Sequence, residues 1–162
     1  MSVLIALAVS IGVLAVVATW LFLGPLAILN AQIWQAFLAW ACFFNNGGKT
    51  AGAKTTVVCM CLGAVVGMAS VMLAGQLGGL GALAAPVAVG IGAAVLVLAA
   101  HVPLFGAIPA SVYGFASVAG LILLKGLAPV EAIVPTIVSI VIGAAFGWVS
   151  EALAGKLAKP AA

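Results

Sequence analysis

The sequence has very little charge of either sign. It contains no arginine and no aspartate, and its five lysines are set against two glutamates and one histidine. A soluble domain of 162 residues would need far more charged surface to stay in water. The lysines also form no basic cluster, so we expect no nucleic-acid partner.

Catalytic signatures are missing as well. Without aspartate no Ser–His–Asp set can form, and neither an HExxH motif nor a P-loop is present. The three cysteines, Cys42, Cys59 and Cys61, lie in apolar stretches with no histidine or acid nearby, which favours packing over metal binding. The sequence therefore predicts no enzyme activity, no metal and no cofactor.

What the chain does contain is mainly hydrophobic, at 67% of its residues. Apolar runs of about 20 residues recur, the length of a helix that crosses a bilayer. The runs are continuous rather than alternating, which favours helices over barrel strands. We predict an all-α integral membrane protein, one domain over residues 1–162 with about six transmembrane helices. The predicted segments are Val3–Leu23, Leu26–Phe44, Thr50–Ala74, Leu83–His101, Pro103–Leu124 and Val130–Leu153.

The second and fifth segments, which we call the middle segments, interrupt their apolar character with polar residues, glycine and proline. Either could be broken or re-entrant. If all six segments cross, Lys49, Lys54, Lys156 and Lys159 lie on one side and only Lys125 lies on the other. Positive charge gathers on the cytoplasmic side, so we predict cytoplasmic termini and a short cytoplasmic tail to residue 162.

The third and sixth segments resemble each other. Residues 56–70 read TVVCMCLGAVVGMAS and residues 136–150 read TIVSIVIGAAFGWVS, an offset of 80. Val9–Gly12 and Val89–Gly92 agree at the same offset, whereas the middle segments fit only with a shift of about nine. One half has extra residues before its middle segment, around GPLAILNAQ, and the other after it, around LLKGLAPVE.

This pattern predicts two three-helix repeats, about 1–78 and 79–157. Three spans is an odd number, so the second copy would insert the opposite way, as in many transporters. Chance matches among small residues are the alternative. Gly63 and Gly67, like Gly143 and Gly147, lie one turn apart and suit close helix packing. We expect these glycines to bring the third and sixth helices together.

Three stretches carry a family resemblance: WQAFLAWACFFNNGGK, PLFGAIPASVYGFASVAG and GAAFGW. Together they resemble the YcdZ-like family of bacterial inner-membrane proteins, described mainly as a domain of unknown function. The resemblance implies a multi-pass protein of the bacterial inner membrane. A weaker similarity links FFNNGG to the Asn-Asn-Pro stretch of urea channels, although Gly47 replaces the proline and the second half has no asparagine pair.

Uncharged polar residues in and beside the middle segments are the candidates for a solute pathway. They are Gln35, Asn45, Asn46, Ser111, Tyr113 and Ser117. Two interpretations stand: these groups line a path for a neutral solute, or they cap helices and bond between them. For the asparagines the cap would end the second segment, with Gly47 as its left-handed stop.

Our leading hypothesis is a small channel or transporter for a neutral or weakly charged solute such as urea, an amide or ammonia. Little charge is available to a multiply charged substrate, whose desolvation would go uncompensated. The alternative is a non-transporting membrane scaffold that packs on a partner protein through its glycine faces. In either case we expect a homo-oligomer in the lipid bilayer.

Overall fold

The structure is a computed structural model that describes residues 1–158, and in that part of the chain it is all helical. The end of the predicted tail, with Lys159, lies outside the described residues. The six α-helices are α1 (Val3–Leu23), α2 (Ile33–Asn45), α3 (Lys49–Gln76), α4 (Ala84–Ala99), α5 (Ile108–Lys125) and α6 (Pro129–Leu157). Five of the helical stretches are long and apolar enough to cross a membrane, so this is a multi-pass integral membrane protein.

The helix α2 is the short one. Its 13 residues reach about 20 Å, less than the roughly 30 Å of a bilayer core. The predicted segment began at Leu26, but Pro25–Leu29 form a 3₁₀ turn that Asn30 ends in the left-handed region, with a φ of 55°. The chain enters the α-helix only after an extended Gln32.

The helix α5 is preceded by a similar interruption. Pro103–Phe105 form a 3₁₀ turn, and the α-helix begins at Ile108, with Pro109 in its first turn where no amide hydrogen is needed. Both middle helices thus start inside the bundle. Ala36 lies against Gly143, midway along α6, and Ser111 lies against Gly63, midway along α3.

The two longest helices, α3 and α6, organise the packing. α3 packs against α4 and α5, α6 packs against α1 and α2, and the two also contact each other. Each long helix therefore lies mainly on the helices of the other half of the chain.

Polar contacts define the two ends of the bundle. The backbone N–H of Lys49 donates to the carboxylate of Glu151 at 2.6 Å, and the Ser10 hydroxyl donates to the carbonyl of Ser150 at 3.0 Å. The α2–α3 turn, the first half of α1 and the last turns of α6 thus share one end, which we call the Glu151 face. Lys125 and the end of α1 lie together at the other end, the Lys125 face.

Burial on α3 and α6 follows one pattern. All eight buried residues of α3 have a buried counterpart on α6 at an offset of 80. The α3 set is Gly52, Thr56, Cys59, Met60, Gly63, Ala64, Gly67 and Ser70. The match of Val9–Gly12 with Val89–Gly92 is different, because Gly92 is buried against Ser70 whereas Gly12 is exposed with open space beside it.

The glycine spacing that α3 and α6 share serves contacts other than the predicted one. Cβ atoms on Gly63 or Gly67 would overlap α5 at Ser111 and Phe115. Cβ atoms on Gly143 or Gly147 would overlap α2, at Ala36 and Phe43 respectively. The glycines therefore let the middle helices approach α3 and α6, and they do not join α3 to α6.

Candidate functional site

The side chain of Gln35 lies at the centre of the candidate site. It is fully buried near the start of α2, and its Nε2 donates to the carbonyl of Ser117 at 2.8 Å and to Oγ1 of Thr136 at 3.1 Å. These contacts join α2, α5 and α6. The Oε1 atom of Gln35 has no hydrogen-bond partner in the described chain.

Two serine hydroxyls on α5 are likewise buried without a hydrogen-bond partner. Ser111 and Ser117 are both 0% exposed, and neither Oγ has a partner among the described residues. Buried polar atoms are almost always paired, with protein or with ordered water, because an unpaired one costs about 1–3 kcal/mol. The two middle helices therefore carry three buried polar atoms, Oε1 of Gln35 and the hydroxyls of Ser111 and Ser117, whose hydrogen-bonding capacity the described chain leaves unused.

A second amide lies at the other end of α2. Asn46 is half-buried, and its Nδ2 donates to Oγ1 of Thr56 at 2.9 Å and to Sγ of Cys42 at 3.4 Å. Thr56 and Thr136 are the matched positions of α3 and α6, and each accepts from a side-chain amide of α2. The two amides lie eleven residues apart, about 16 Å along the helix axis.

One stripe of α2 connects these two amides. Gln35, Ala39, Cys42 and Asn46 follow the spacing of four, three and four that keeps residues on one helix face. Between the amides this face is closed by apolar packing. Buried members of that core include Ala39, Cys42, Met60, Ala110, Val118 and Ile140.

Two of the predicted pathway residues are exposed and lie apart from the buried polar groups. Asn45 is exposed at the Glu151 face, and Tyr113 is 40% exposed on the outside of α5. The α2–α3 turn does end the helix as the cap interpretation predicts. Gly47 adopts a φ of 86°, and the N–H of Gly48 donates to the carbonyl of Phe43 at 3.0 Å.

The two glutamates serve as helix caps. Glu131 accepts from the N–H of Ala128 at 3.3 Å, as its place at the start of α6 predicts. Glu151 is half-buried and caps the start of α3 rather than its own helix. His101 is exposed after α4, where a ring nitrogen lies 2.9 Å from the carbonyl oxygen of Leu98.

A polar cavity of about 190 Å³ opens at the Lys125 face, where the end of α1, the first 3₁₀ turn, the start of α2 and the end of α5 meet. We call this cavity the vestibule. Its lining residues are Phe22, Leu23, Ala27, Asn30, Ala31, Gln32, Ile33 and Lys125. Ile33 and Gln35 both lie in the first turn of α2, so the vestibule is at the end of α2 that carries the first amide, although Gln35 itself is fully buried and is not among the lining residues.

Sequence reasoning missed the partners of these side chains. Thr56 and Thr136 stood in the repeat pattern without a role, and Ser139, which accepts from the N–H of Gln32 at 2.9 Å, was not a candidate. Trp40 is only 4% exposed, and its Nε1 donates to Oγ of Ser150 at 3.0 Å. The repeat offset was the one signal that could have found the two threonines.

Comparison with known proteins places the chain in a family and leaves its activity open. No curated protein and no solved structure matches it, so the similarity to urea channels gains no support. A family model described as "Protein of unknown function (DUF1097)" matches residues 8–155, nearly the whole chain. That match agrees with the unknown function that the resemblance implied, although it does not carry the YcdZ-like name. The chain thus belongs to the DUF1097 family of proteins of unknown function.

Proposed function

We propose that this protein is a channel or transporter for a small neutral polar solute of the urea, amide or ammonia class. The observation that carries the proposal is the buried Gln35, whose Nε2 donates to the backbone carbonyl of Ser117 on the facing helix while its own Oε1 and the Ser117 hydroxyl are both left unpaired. A stable core would rarely retain such groups, because replacing them by apolar side chains of similar shape is nearly neutral or stabilising. A solute with N–H donors and a carbonyl acceptor could donate to Oε1 of Gln35 and accept from the hydroxyl of Ser117.

The path we propose runs along the α2 stripe. It begins at Gln35 with Ser117 and Thr136, crosses the apolar region at Ala39, and leaves past Asn46. The packed core between the two amides would then be the closed gate, and the short α2 is the element whose movement would open it. Ser111 on α5 belongs to the same polar set through its unpaired Oγ.

We also propose that the two halves are inverted repeats, with the Glu151 face in the cytoplasm of a bacterium. Support comes from the eight matched buried positions and from the exchange of partners between halves, in which α3 packs on α5 and α6 on α2. In proteins built this way, solute sites lie near the membrane midplane at helices that begin there. The starts of α2 and α5, beside the midpoints of α6 and α3, fit that description.

We favour transport over the alternative of a non-transporting scaffold that binds a partner through its glycine faces. Gly63, Gly67, Gly143 and Gly147 are all buried against helices of the same chain. Self-association through other lipid-facing surfaces remains part of the proposal.

The test is a flux measurement on purified protein in liposomes. We expect urea, acetamide or formamide to enter faster than into empty vesicles, and we expect Gln35→Met to lower that flux at least about tenfold, the effect of losing roughly 1.4 kcal/mol. Methionine keeps the length and volume of the side chain, so the helix packing should survive. Gln76→Met, at the exposed end of α3, is the matched control and should change nothing.

Equal flux through protein-containing and empty vesicles for all three solutes would refute the proposal. So would a Gln35→Met variant that folds and conducts as well as the original chain.

A further inference from the structure

The vestibule carries one positive charge and no negative one. Among residues 1–158, Lys125 is its single ionisable lining residue, and neither glutamate lines it. Glu131, the acid nearest to Lys125 in sequence, has its carboxylate on the N–H of Ala128 at the start of α6. The vestibule therefore keeps an uncompensated cation at its wall.

Other groups around the vestibule add to this polarity. Ile33 brings the first turn of α2 to the wall, and the start of a helix carries the positive end of its dipole. Nε2 of Gln32 donates to the backbone carbonyl of Asn30 at 2.7 Å. This hydrogen bond occupies a carbonyl oxygen that could otherwise attract a cation in the cavity. The end of α5 offers the opposite polarity, but Gly126 already donates to the carbonyl of Ile122 there.

From this arrangement we infer that the vestibule is a charge filter, which admits neutral solutes, attracts small monoanions and excludes monocations. The role as a filter rests on the proposed function, because it requires that solutes reach Gln35 through this cavity. The preference for anions over cations follows from the wall itself. A fixed charge at the mouth of a narrow cavity raises the local concentration of its counter-ions and lowers that of ions with its own sign.

The charge preference can be measured without any transport. A cysteine placed at Ala27, an exposed lining residue, would react with thiosulfonate reagents that differ only in carrying a sulfonate or a quaternary ammonium group. We expect the ratio of anionic to cationic labelling rates to fall at least about threefold in Lys125→Met and about tenfold in Lys125→Glu, because a unit charge a few ångströms away acts in opposite directions on the two reagents. Raising the salt concentration should weaken the difference.

The control is Lys156→Met, which removes the same charge from the Glu151 face and should leave the ratio unchanged. An unchanged ratio in Lys125→Glu would overturn the inference, whatever the outcome of the flux assay.

A second arm connects the filter to flux. Nitrate and guanidinium have nearly the planar shape of urea but carry opposite charges. We expect nitrate to inhibit urea flux through the original chain and guanidinium to do so only in Lys125→Glu. Urea flux that is indifferent to both ions in both chains would overturn the filter. Absence of flux for all three solutes of the first assay would instead refute the proposed function and leave the labelling result to decide the charge preference.

Discussion

Identical residue types in this protein have different roles because burial, and not chemistry, separates them. Asn46 bonds to Thr56 inside the bundle, whereas its neighbour Asn45 is exposed. Trp40 is buried with a hydrogen bond to Ser150, whereas Trp20 is 65% exposed toward the surroundings. An unpaired polar group is costly in lipid, so a polar side chain buried in this bundle indicates either a hydrogen bond between helices or a functional role.

Trp40→Phe tests this at the level of one hydrogen bond. The substitution keeps the ring between Phe37 and Phe146 but removes the donor to Ser150. We expect a loss of about 0.5–1.5 kcal/mol in the free energy of unfolding, measured by reversible denaturation in mixed micelles. Trp20→Phe serves as the control, and an equal effect of both substitutions would contradict the assigned role of the indole N–H.

At the scale of elements, the decisive feature is that α2 and α5 begin inside the bundle. Each is set against a glycine in the middle of a long helix, and the spacing there leaves no room for a side chain. The turn that follows α2 is equally constrained, because Gly47, Gly48 and Lys49 all have positive φ values.

Gly143→Leu should therefore disrupt the contact between α6 and α2. Its side chain would overlap the backbone of Ala36, and we expect a destabilisation of about 3 kcal/mol or more, or no folded protein. Gly12→Leu, where nothing lies within 4 Å, should be tolerated. Comparable losses of stability in the two variants, by the same micelle titration, would rule out the tight crossing.

Glu151→Ala removes a cap that one half of the chain provides to the other. The carboxylate accepts from the N–H of Lys49 at the start of α3, and losing it should cost about 1 kcal/mol. We expect faster hydrogen exchange confined to the first turn of α3. Lys156→Ala, one turn further along α6, should leave that exchange unaltered, and unchanged exchange in Glu151→Ala would count against the cap.

At the scale of the whole molecule, the bundle has two chemically different ends. The Glu151 face holds Lys49, Lys54 and Lys156, and the Lys125 face holds the vestibule. This asymmetry is what an orientation signal requires.

Cysteines at Lys49 and Lys125 should accordingly react with a membrane-impermeant thiol reagent from opposite sides. In intact bacterial cells we expect labelling of Lys125→Cys, while Lys49→Cys labels only after the cells are opened. Native cysteines are buried or half-buried, which keeps the background low. Labelling of both positions in intact cells would show that the two faces are not separated by the bilayer.

Much of the architecture was predictable from the sequence, because apolar runs with few charges can be stable only as helices in lipid. The bounds of α1 match the predicted segment at both ends, and the middle segments were correctly singled out as irregular by their glycines, prolines and amides. Gln35, Ser111 and Ser117 were chosen on the same ground, and they are the buried members of the set.

What only the tertiary structure decided is which groups meet. Gln35 pairs with Ser117 and Thr136, and the glycines contact α5 and α2. These contacts join residues that are roughly 50 to 110 positions apart in the chain, so no local sequence pattern relates them. In an apolar chain every helix face looks alike, because hydrophobicity does not mark an inside. Close packing and the pairing of a few polar atoms choose the neighbours instead, and those depend on the shape of all six helices together.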